Sequence, residues 1–178
     1  MRLLPELTPF NEWFWTGGKD GTLRVQGCDD CDALVHPPTP ICPRCRSRNR
    51  RVVEVSGRAT VIGFTVNHHQ WLPGFDPPYV IANVALEDDP SVRLTTNVVG
   101  CDPDDVRIGQ VVTVSFEQHD DVWLPVFTPT GEMDPVDRVP EPVRPTPRAP
   151  LTDDRFEHRS VLSGIGRSAL GRRQMVDP

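Results

Sequence analysis

Residues 27–45 read GCDDCDALVHPPTPICPRC, two Cys-x-x-Cys pairs separated by ten residues. Each pair fits a tight turn that offers two thiolates to one tetrahedral ion, and the proline-rich spacer is a stiff connection between the turns. We therefore predict one structural zinc ion; four protein ligands leave no open position for a catalytic water. Four unrelated or redox cysteines are the alternative. The predicted ligands are Cys28, Cys31, Cys42 and Cys45.

The composition of the 178-residue chain favours one folded core with attachments. Its 20 prolines predict that part of the chain is irregular. No apolar run approaches the roughly 18 residues of a membrane span, and Glu6 and Glu12 lie where a signal peptide would be apolar. We expect a cytoplasmic protein, in which paired cysteines point to metal rather than to disulfides.

Five apolar, β-branched runs follow the cysteine segment, with turn residues between them and no convincing helix. This pattern predicts a mainly β fold with a small five-stranded barrel. Pro125 predicts that the fifth strand is an edge or is bulged at that residue. The predicted strands are residues 59–66, 79–86, 92–99, 111–116 and 122–127.

A short helix is predicted before the cysteines. Thr8 and Pro9 suit a capped first turn, and the aromatic residues that follow have helical spacing. Glycines at 17, 18 and 21 end the helix, and residues 22–26 alternate like a strand that leads into Cys28.

These features predict the domain organisation. Six prolines between residues 133 and 150 indicate an extended linker after the barrel. The predicted parts are an N-terminal helix and lead-in strand (1–26), a zinc ribbon (27–53), a barrel (54–130), a proline-rich linker (131–152) and a tail (153–178).

No spacing in the sequence places a nucleophile beside a base. Cys101 is followed by Asp102, Asp104 and Asp105, which disfavour a thiolate, so we interpret it as a turn residue. The histidines at positions 68, 69 and 119 are interpreted as polar surface residues rather than acid–base catalysts. We therefore expect no catalytic residues.

Charge is unevenly distributed along the chain. Residues 76–141 contain 14 acidic side chains and three arginines, whereas five arginines crowd residues 44–51. A polyanion would have to bind at this basic segment. Its members are Arg44, Arg46, Arg48, Arg50 and Arg51.

The ordered motifs of residues 8–130 resemble the DUF35 family, in which a rubredoxin-like zinc ribbon is joined to an OB-fold. The resemblance implies a non-catalytic accessory subunit of a thiolase-like enzyme, either a thiolase or a lipid-transfer-type aldolase that shortens steroid or lipid side chains. It implies a role in accommodating acyl-CoA and the same four cysteine ligands. The motifs are NEWFWTG, GCDDC, PPTPICPRCRS, SGRATVIGFTV, PYVIANVALED and VRIGQVVTVSFEQ.

Two groups of residues are candidates for contacting the partner enzyme and the acyl-CoA. Trp71, Leu72 and Phe75 lie in a long loop and suggest a docking surface for the partner, although they equally suit a cap on the barrel end. The five arginines suit CoA phosphates or an acidic partner surface, with a solvated face as the alternative.

A second class of function is single-stranded nucleic-acid binding, which also uses zinc ribbons and OB-folds. The acidic barrel argues against it, and Tyr79 and Trp123 do not form a series of stacking residues. An independent enzyme is the third class, and it lacks a recognisable catalytic pair.

The tail differs from the linker before it. Residues 161–173, VLSGIGRSALGRR, resemble the start of lipid-transfer-type thiolases, where a GIG-x-S-x-x-GRR pattern opens the first half of the enzyme. The resemblance implies a fusion or a hetero-oligomer with a thiolase-like partner. An unrelated tail is the alternative, because about twenty residues cannot build a core alone.

Overall fold

Three strands form a small antiparallel sheet around the cysteine segment. The computed structural model describes residues 3–71 and 76–134. Strand β1 (Leu23–Cys28) lies in the centre, between β2 (Leu34–Val35) and β3 (Arg50–Val55). The chain therefore returns to β1 after each pair of cysteines, and both pairs lie at the same end of the sheet.

Strand β3 was not predicted from the sequence. It pairs with all of β1, from Cys28 opposite Arg50 to Leu23 opposite Val55. Its basic first half conceals the strand pattern, because the outermost position of the sheet lets arginine and Val52 face solvent. β3 also crosses residue 53, the predicted end of the zinc ribbon.

The next five strands along the chain close into a barrel, as predicted. Their order around the barrel is β4-β5-β6-β8-β7, the Greek-key arrangement of an OB-fold. Most ladders are antiparallel, and a bulge between Val61 and Gly63 bends β4. The strands are β4 (Arg58–Asn67), β5 (Tyr79–Leu86), β6 (Arg93–Val98), β7 (Gln110–His119) and β8 (Val122–Met133).

The barrel closes between β6 and β8 through one parallel bridge, Val98 opposite Phe127. Pro125 pairs with Phe116 of β7 but has no ladder partner on β6. At Pro125, β8 is therefore paired on one side and behaves as an edge strand, as predicted from the missing N–H of proline. The Thr96 hydroxyl donates to the Pro125 carbonyl oxygen at 2.8 Å and links the two strands there.

The N-terminal helix is a single turn. α1 spans Glu12–Trp15 and begins after Asn11, and Thr8 contributes its carbonyl oxygen, which accepts from the N–H groups of Asn11 and Glu12. The helix is therefore shorter than the aromatic spacing suggests. A 3₁₀ turn (Gly17–Asp20) follows and ends at Gly21, whose φ of 75° suits glycine.

One hydrophobic cluster joins these parts. Phe14 of α1 and Val25 of β1 belong to the same buried group as the barrel residues Val61, Val84 and Phe127. The ribbon, the helix and the barrel therefore share a core, which fixes the position of the cysteines relative to the barrel.

Strand β8 runs to Met133 and so includes the first residues of the predicted linker. Asp134 follows and its N–H donates to the Gly109 carbonyl oxygen at 2.7 Å, whereas the linker from residue 135 onward and the whole tail lie outside the described residues. Among residues 3–71 and 76–134, no helix has the length and apolar character needed to cross a membrane.

Candidate metal centre

The structure brings all four predicted cysteine ligands together. Their sulfur atoms lie within 4.8 Å of one another. The Sγ atoms of Cys28 and Cys45 are 3.5 Å apart, and those of Cys31 and Cys42 are 3.7 Å apart. Zinc–sulfur bonds of about 2.3 Å in a tetrahedron place sulfur atoms about 3.8 Å apart, so the cluster fits one tetrahedral ion.

Two backbone turns with the same hydrogen bonds hold these thiols. In the first, the Cys28 N–H donates to Ala33 and the Cys28 carbonyl accepts from Asp32, both at 3.0 Å. In the second, the Cys42 N–H donates to Ser47 at 2.8 Å and the Cys42 carbonyl accepts from Arg46 at 2.9 Å. The two Cys-x-x-Cys segments are therefore equivalent knuckles, as zinc ribbons require.

Burial and charge also suit a metal. Cys28 and Cys42 are almost fully buried, whereas Cys45 is exposed. The backbone N–H of Cys45 lowers the pKa of the Cys42 thiol to about 7, whereas burial and the neighbouring thiols raise the pKa of the Cys45 thiol to about 12; a bound cation would favour the thiolate form of all four. Soft thiolate ligands in a tetrahedral set select zinc or iron, and the closed set of four indicates a structural ion.

Arg51 supports the first knuckle from outside. Its Nη1 atom donates to the Cys28 carbonyl oxygen at 2.8 Å, and the same guanidinium pairs with Asp29 at 3.2 Å and with Asp32 at 2.9 Å. These bonds orient the knuckle that carries two ligands, a role the sequence did not indicate.

The other arginines of the basic segment are exposed. The guanidinium of Arg50 lies 4.7 Å from the centroid of the Phe10 ring, a cation–π contact. Within the described residues, Arg44, Arg46 and Arg48 make no ion pair, so their charge faces solvent. Arg51 thus supports the metal centre, whereas the guanidinium groups of Arg44, Arg46 and Arg48 are available to contact another molecule.

Trp71 follows β4 and is 69% exposed. Its Nε1–H donates to Asn67 Oδ1 at 2.7 Å, and its ring lies edge-on to His69 with centroids 4.6 Å apart. The indole is thus held in one orientation although it faces solvent. The other two predicted docking residues, Leu72 and Phe75, lie outside the described residues.

The candidate catalytic groups do not form a pair. Cys101 makes no hydrogen bond to another described residue. Burial, followed by the charges of Asp105 and Asp102, raises the pKa of its thiol. His68 lies with His69 after β4, and His119 ends β7 beside Glu117. Cys101 and the three histidines therefore do not combine into a nucleophile with a neighbouring base among the described residues.

Two family models match the chain. The model described as "ChsH2, rubredoxin-like zinc ribbon domain" matches residues 15–49, and "ChsH2, C-terminal OB-fold domain" matches residues 52–117. Both agree with the ribbon and the barrel seen in the structure.

Two curated relatives match longer stretches. A Thermomonospora curvata protein named "Probable enoyl-CoA hydratase alpha subunit" is 38% identical over 130 residues, 72% of this chain. This chain spans only 40% of that protein's length. A Methanothermobacter thermautotrophicus "DUF35 domain-containing scaffold protein" is 32% identical over 98 residues, which cover 54% of this chain and 72% of the relative.

A solved structure named "Ltp2-ChsH2(DUF35) aldolase" superposes with a TM-score of 0.65 at 37% sequence identity. The match covers 71% of this chain and 98% of that one. The folds and the extent of these matches agree: the chain belongs to the DUF35 family, with a zinc ribbon followed by an OB-fold.

Proposed function

We propose that this chain is a non-catalytic zinc-containing domain that docks on a thiolase-like enzyme and helps to accommodate its acyl-CoA substrate. The observation that carries the proposal is the cluster of four thiols around one metal position, whose closed ligand set suits a structural rather than a catalytic ion. The names of the relatives support it: one is a scaffold protein, and another is a subunit of an acyl-CoA enzyme. The solved structure is named as an aldolase that pairs Ltp2 with a DUF35 protein, which supports a partner enzyme for this chain.

The proposed contact with the enzyme centres on Trp71. An exposed indole that a hydrogen bond already holds loses little freedom when a partner covers it, and such residues often dominate binding. We propose Leu72 and Phe75 as its neighbours in the contact. The partner would act on the CoA thioester of a lipid or steroid.

The proposed contact with CoA lies on the basic segment. Arg44, Arg46 and Arg48 are exposed and have no acidic partner among the described residues, so their guanidinium groups are available to phosphates. Arg50 is exposed as well, whereas Arg51 is already engaged by the first knuckle.

Docking is tested by co-expression with a thiolase-like protein encoded beside this chain. The pair should co-purify, and the enzyme should need the chain for full activity. Trp71→Ala should weaken docking by about 30-fold or more, the effect of losing about 2 kcal/mol at an interface centre. Ile108→Ala, which removes another exposed apolar side chain, is the matched control. If the two variants bind the enzyme with equal affinity, Trp71 does not contribute to the proposed contact.

The role of the basic segment is tested separately. A chain carrying Arg44→Glu, Arg46→Glu and Arg48→Glu should lose acyl-CoA affinity in the complex while it keeps zinc. If acyl-CoA affinity and enzyme activity are both unchanged, the arginines have no such role. Tight, salt-dependent binding of single-stranded nucleic acid by the wild-type chain would instead support the alternative function, nucleic-acid binding.

A further inference from the structure

A cavity of about 490 Å³ lies where the N-terminal segment, the spacer between the cysteine pairs and the barrel meet. Phe10, Phe14 and Trp15 form one wall, and His36 begins another. Strands β6 and β8 supply the floor on either side of the barrel closure. This volume is typical of sites for small organic ligands. The other apolar lining residues are Leu3, Pro37, Pro38, Leu94, Leu124, Pro125 and Val126.

No described residue that lines the cavity is charged. Most of its polar side chains are already bonded to the protein. Thr96 donates to the Pro125 carbonyl at 2.8 Å, Asn97 donates to the Val80 carbonyl at 2.7 Å, and Asn11 accepts from the Thr8 N–H at 2.8 Å. The surface offered to a ligand is therefore mainly hydrocarbon.

His36 and the exposed Thr95 make no such bond to another described residue. The His36 ring packs against Phe14 with centroids 4.7 Å apart, and its Nδ1 atom is closed off from water-sized molecules. Burial lowers the pKa of His36 to about 4, so the imidazole is neutral near pH 7 and adds no charge to the cavity.

We propose that this cavity binds an uncharged hydrocarbon group. The apolar walls supply most of the affinity, and no described lining residue offers a charge to a polar ligand.

A peptide from a partner suits the cavity less well. Each peptide unit brings an N–H and a C=O that need partners when buried, whereas most polar side chains of the described lining are already bonded to the protein. One inserted side chain would fill only part of 490 Å³. The chemistry of the walls therefore favours a small hydrocarbon ligand.

The natural source of the hydrocarbon is either a free neutral lipid or the acyl part of a CoA thioester. The second source deepens the proposed function and rests on it. Phe10 connects the two regions, because it lines the cavity and also packs under the Arg50 guanidinium. A thioester whose acyl group enters the cavity would thus begin beside the basic segment.

The first experiment measures binding of N-phenyl-1-naphthylamine, an uncharged fluorescent probe, to the full zinc-bound chain. We expect one saturable site per chain. The sulfonated analogue 8-anilinonaphthalene-1-sulfonate should bind this site at least about tenfold more weakly, because no described lining residue is charged and the sulfonate would lose its hydration inside the cavity. Absence of a saturable site for the uncharged probe overturns the proposal, as does tighter binding of the sulfonate at that site.

Matched variants locate the site. Thr95→Phe places a ring at an exposed β6 position that lines the cavity, whereas Thr113→Phe makes the same change at an exposed β7 position outside it. Thr95→Phe should weaken binding of the uncharged probe at least about tenfold, since its ring takes up ligand volume. Thr113→Phe should leave binding unchanged. Equal affinity of the two folded variants overturns the assignment.

Competition distinguishes the two sources. Displacement of the probe by decanoyl-CoA at much lower concentration than by decanol, with loss of this advantage in the Arg44/Arg46/Arg48→Glu chain, supports the thioester. Equal displacement by both supports a free neutral lipid and leaves partner docking as a separate question. Failure of both to displace the probe overturns the hydrocarbon site, whatever the outcome of the docking test.

Discussion

Asp32 and Arg46 occupy equivalent positions in the two knuckles. Each lies four residues after the first cysteine of its pair, has a positive φ (55° and 65°) and donates its N–H to that cysteine's carbonyl oxygen. Aspartate is one of the residues that tolerate this left-handed conformation, whereas an arginine in it is strained. The left-handed conformation of Arg46 therefore has a local free-energy cost, which the rest of the metal centre offsets.

This relationship predicts that Arg46→Gly is stabilising. The left-handed conformation costs a non-glycine residue about 1–2 kcal/mol, and glycine's extra chain entropy recovers part of that difference, so we expect a gain of about 0.5 kcal/mol. Denaturant unfolding of the zinc-bound chain measures it. Arg48→Gly is the control: Arg48 does not have a positive φ, and the change should destabilise by about 0.5 kcal/mol. A loss of stability in Arg46→Gly would contradict the strain.

Removal of the metal should unfold the ribbon. We expect about one zinc per chain by elemental analysis, and a strong chelator should abolish the ordered signal of the β1–β3 sheet, because structural zinc supplies much of the folding free energy of such domains. Cys42→Ser should lose the metal. Cys101→Ser should retain it, since Cys101 is not one of the four clustered thiols. Loss of zinc from Cys101→Ser would show that the ligand set is wrong.

Gly18→Ala should loosen the N-terminal segment from the barrel. A Cβ atom on Gly18 would lie 2.4 Å from Trp123 Cβ and 2.5 Å from Phe116 Cδ1, so the side chains must move. We expect a loss of about 1–3 kcal/mol, the usual effect of overpacking. Gly63→Ala adds the same methyl group where no atom lies within 4 Å and should change stability little. Thermal unfolding of both variants tests the close contact.

The buried imidazole of His36 predicts a pH dependence of stability. Its pKa is about 4 in the folded chain and about 6.5 when unfolded, so below pH 6.5 the unfolded state binds more protons and stability falls. Between about pH 7.5 and about pH 5, wild type should lose about 2 kcal/mol more than His36→Phe. Urea unfolding of the two zinc-bound chains at both pH values gives the difference. Parallel losses would show that His36 is accessible to protons in the folded state.

Local sequence patterns predicted the features whose chemistry is local. Thiolate spacing identified Cys28, Cys31, Cys42 and Cys45, and runs of β-branched residues identified the five barrel strands. Strand β3 escaped because Arg50, Arg51 and Glu54 break its apolar pattern, and only its pairing with β1 stabilises it as a strand. The role of Arg51 also depends on that pairing, which places it opposite Gly27 and beside the first knuckle.

The cavity could not be predicted for a different reason. Its walls come from segments that are distant in the sequence, Phe10 and Phe14, His36, and strands β6 and β8. The sequence HPP at residues 36–38 gives no sign that the imidazole is buried. Exposure of Trp71 was one of two alternatives that the sequence left open, and its hydrogen bond to Asn67 was not predicted, because the two residues meet only through the turn after β4.

The single bridge between Val98 and Phe127 gives the barrel a seam. Every other junction between neighbouring strands is a ladder of at least three residue pairs, so opening at this seam breaks the fewest backbone hydrogen bonds. The amide proton of Val99, which bonds to the Phe127 carbonyl oxygen at 2.8 Å, therefore reports on that opening. Because the floor of the cavity lies across the same two strands, a molecule bound there would contact both strands and hold them together. Opening of the barrel at this junction would therefore become slower as the cavity is filled.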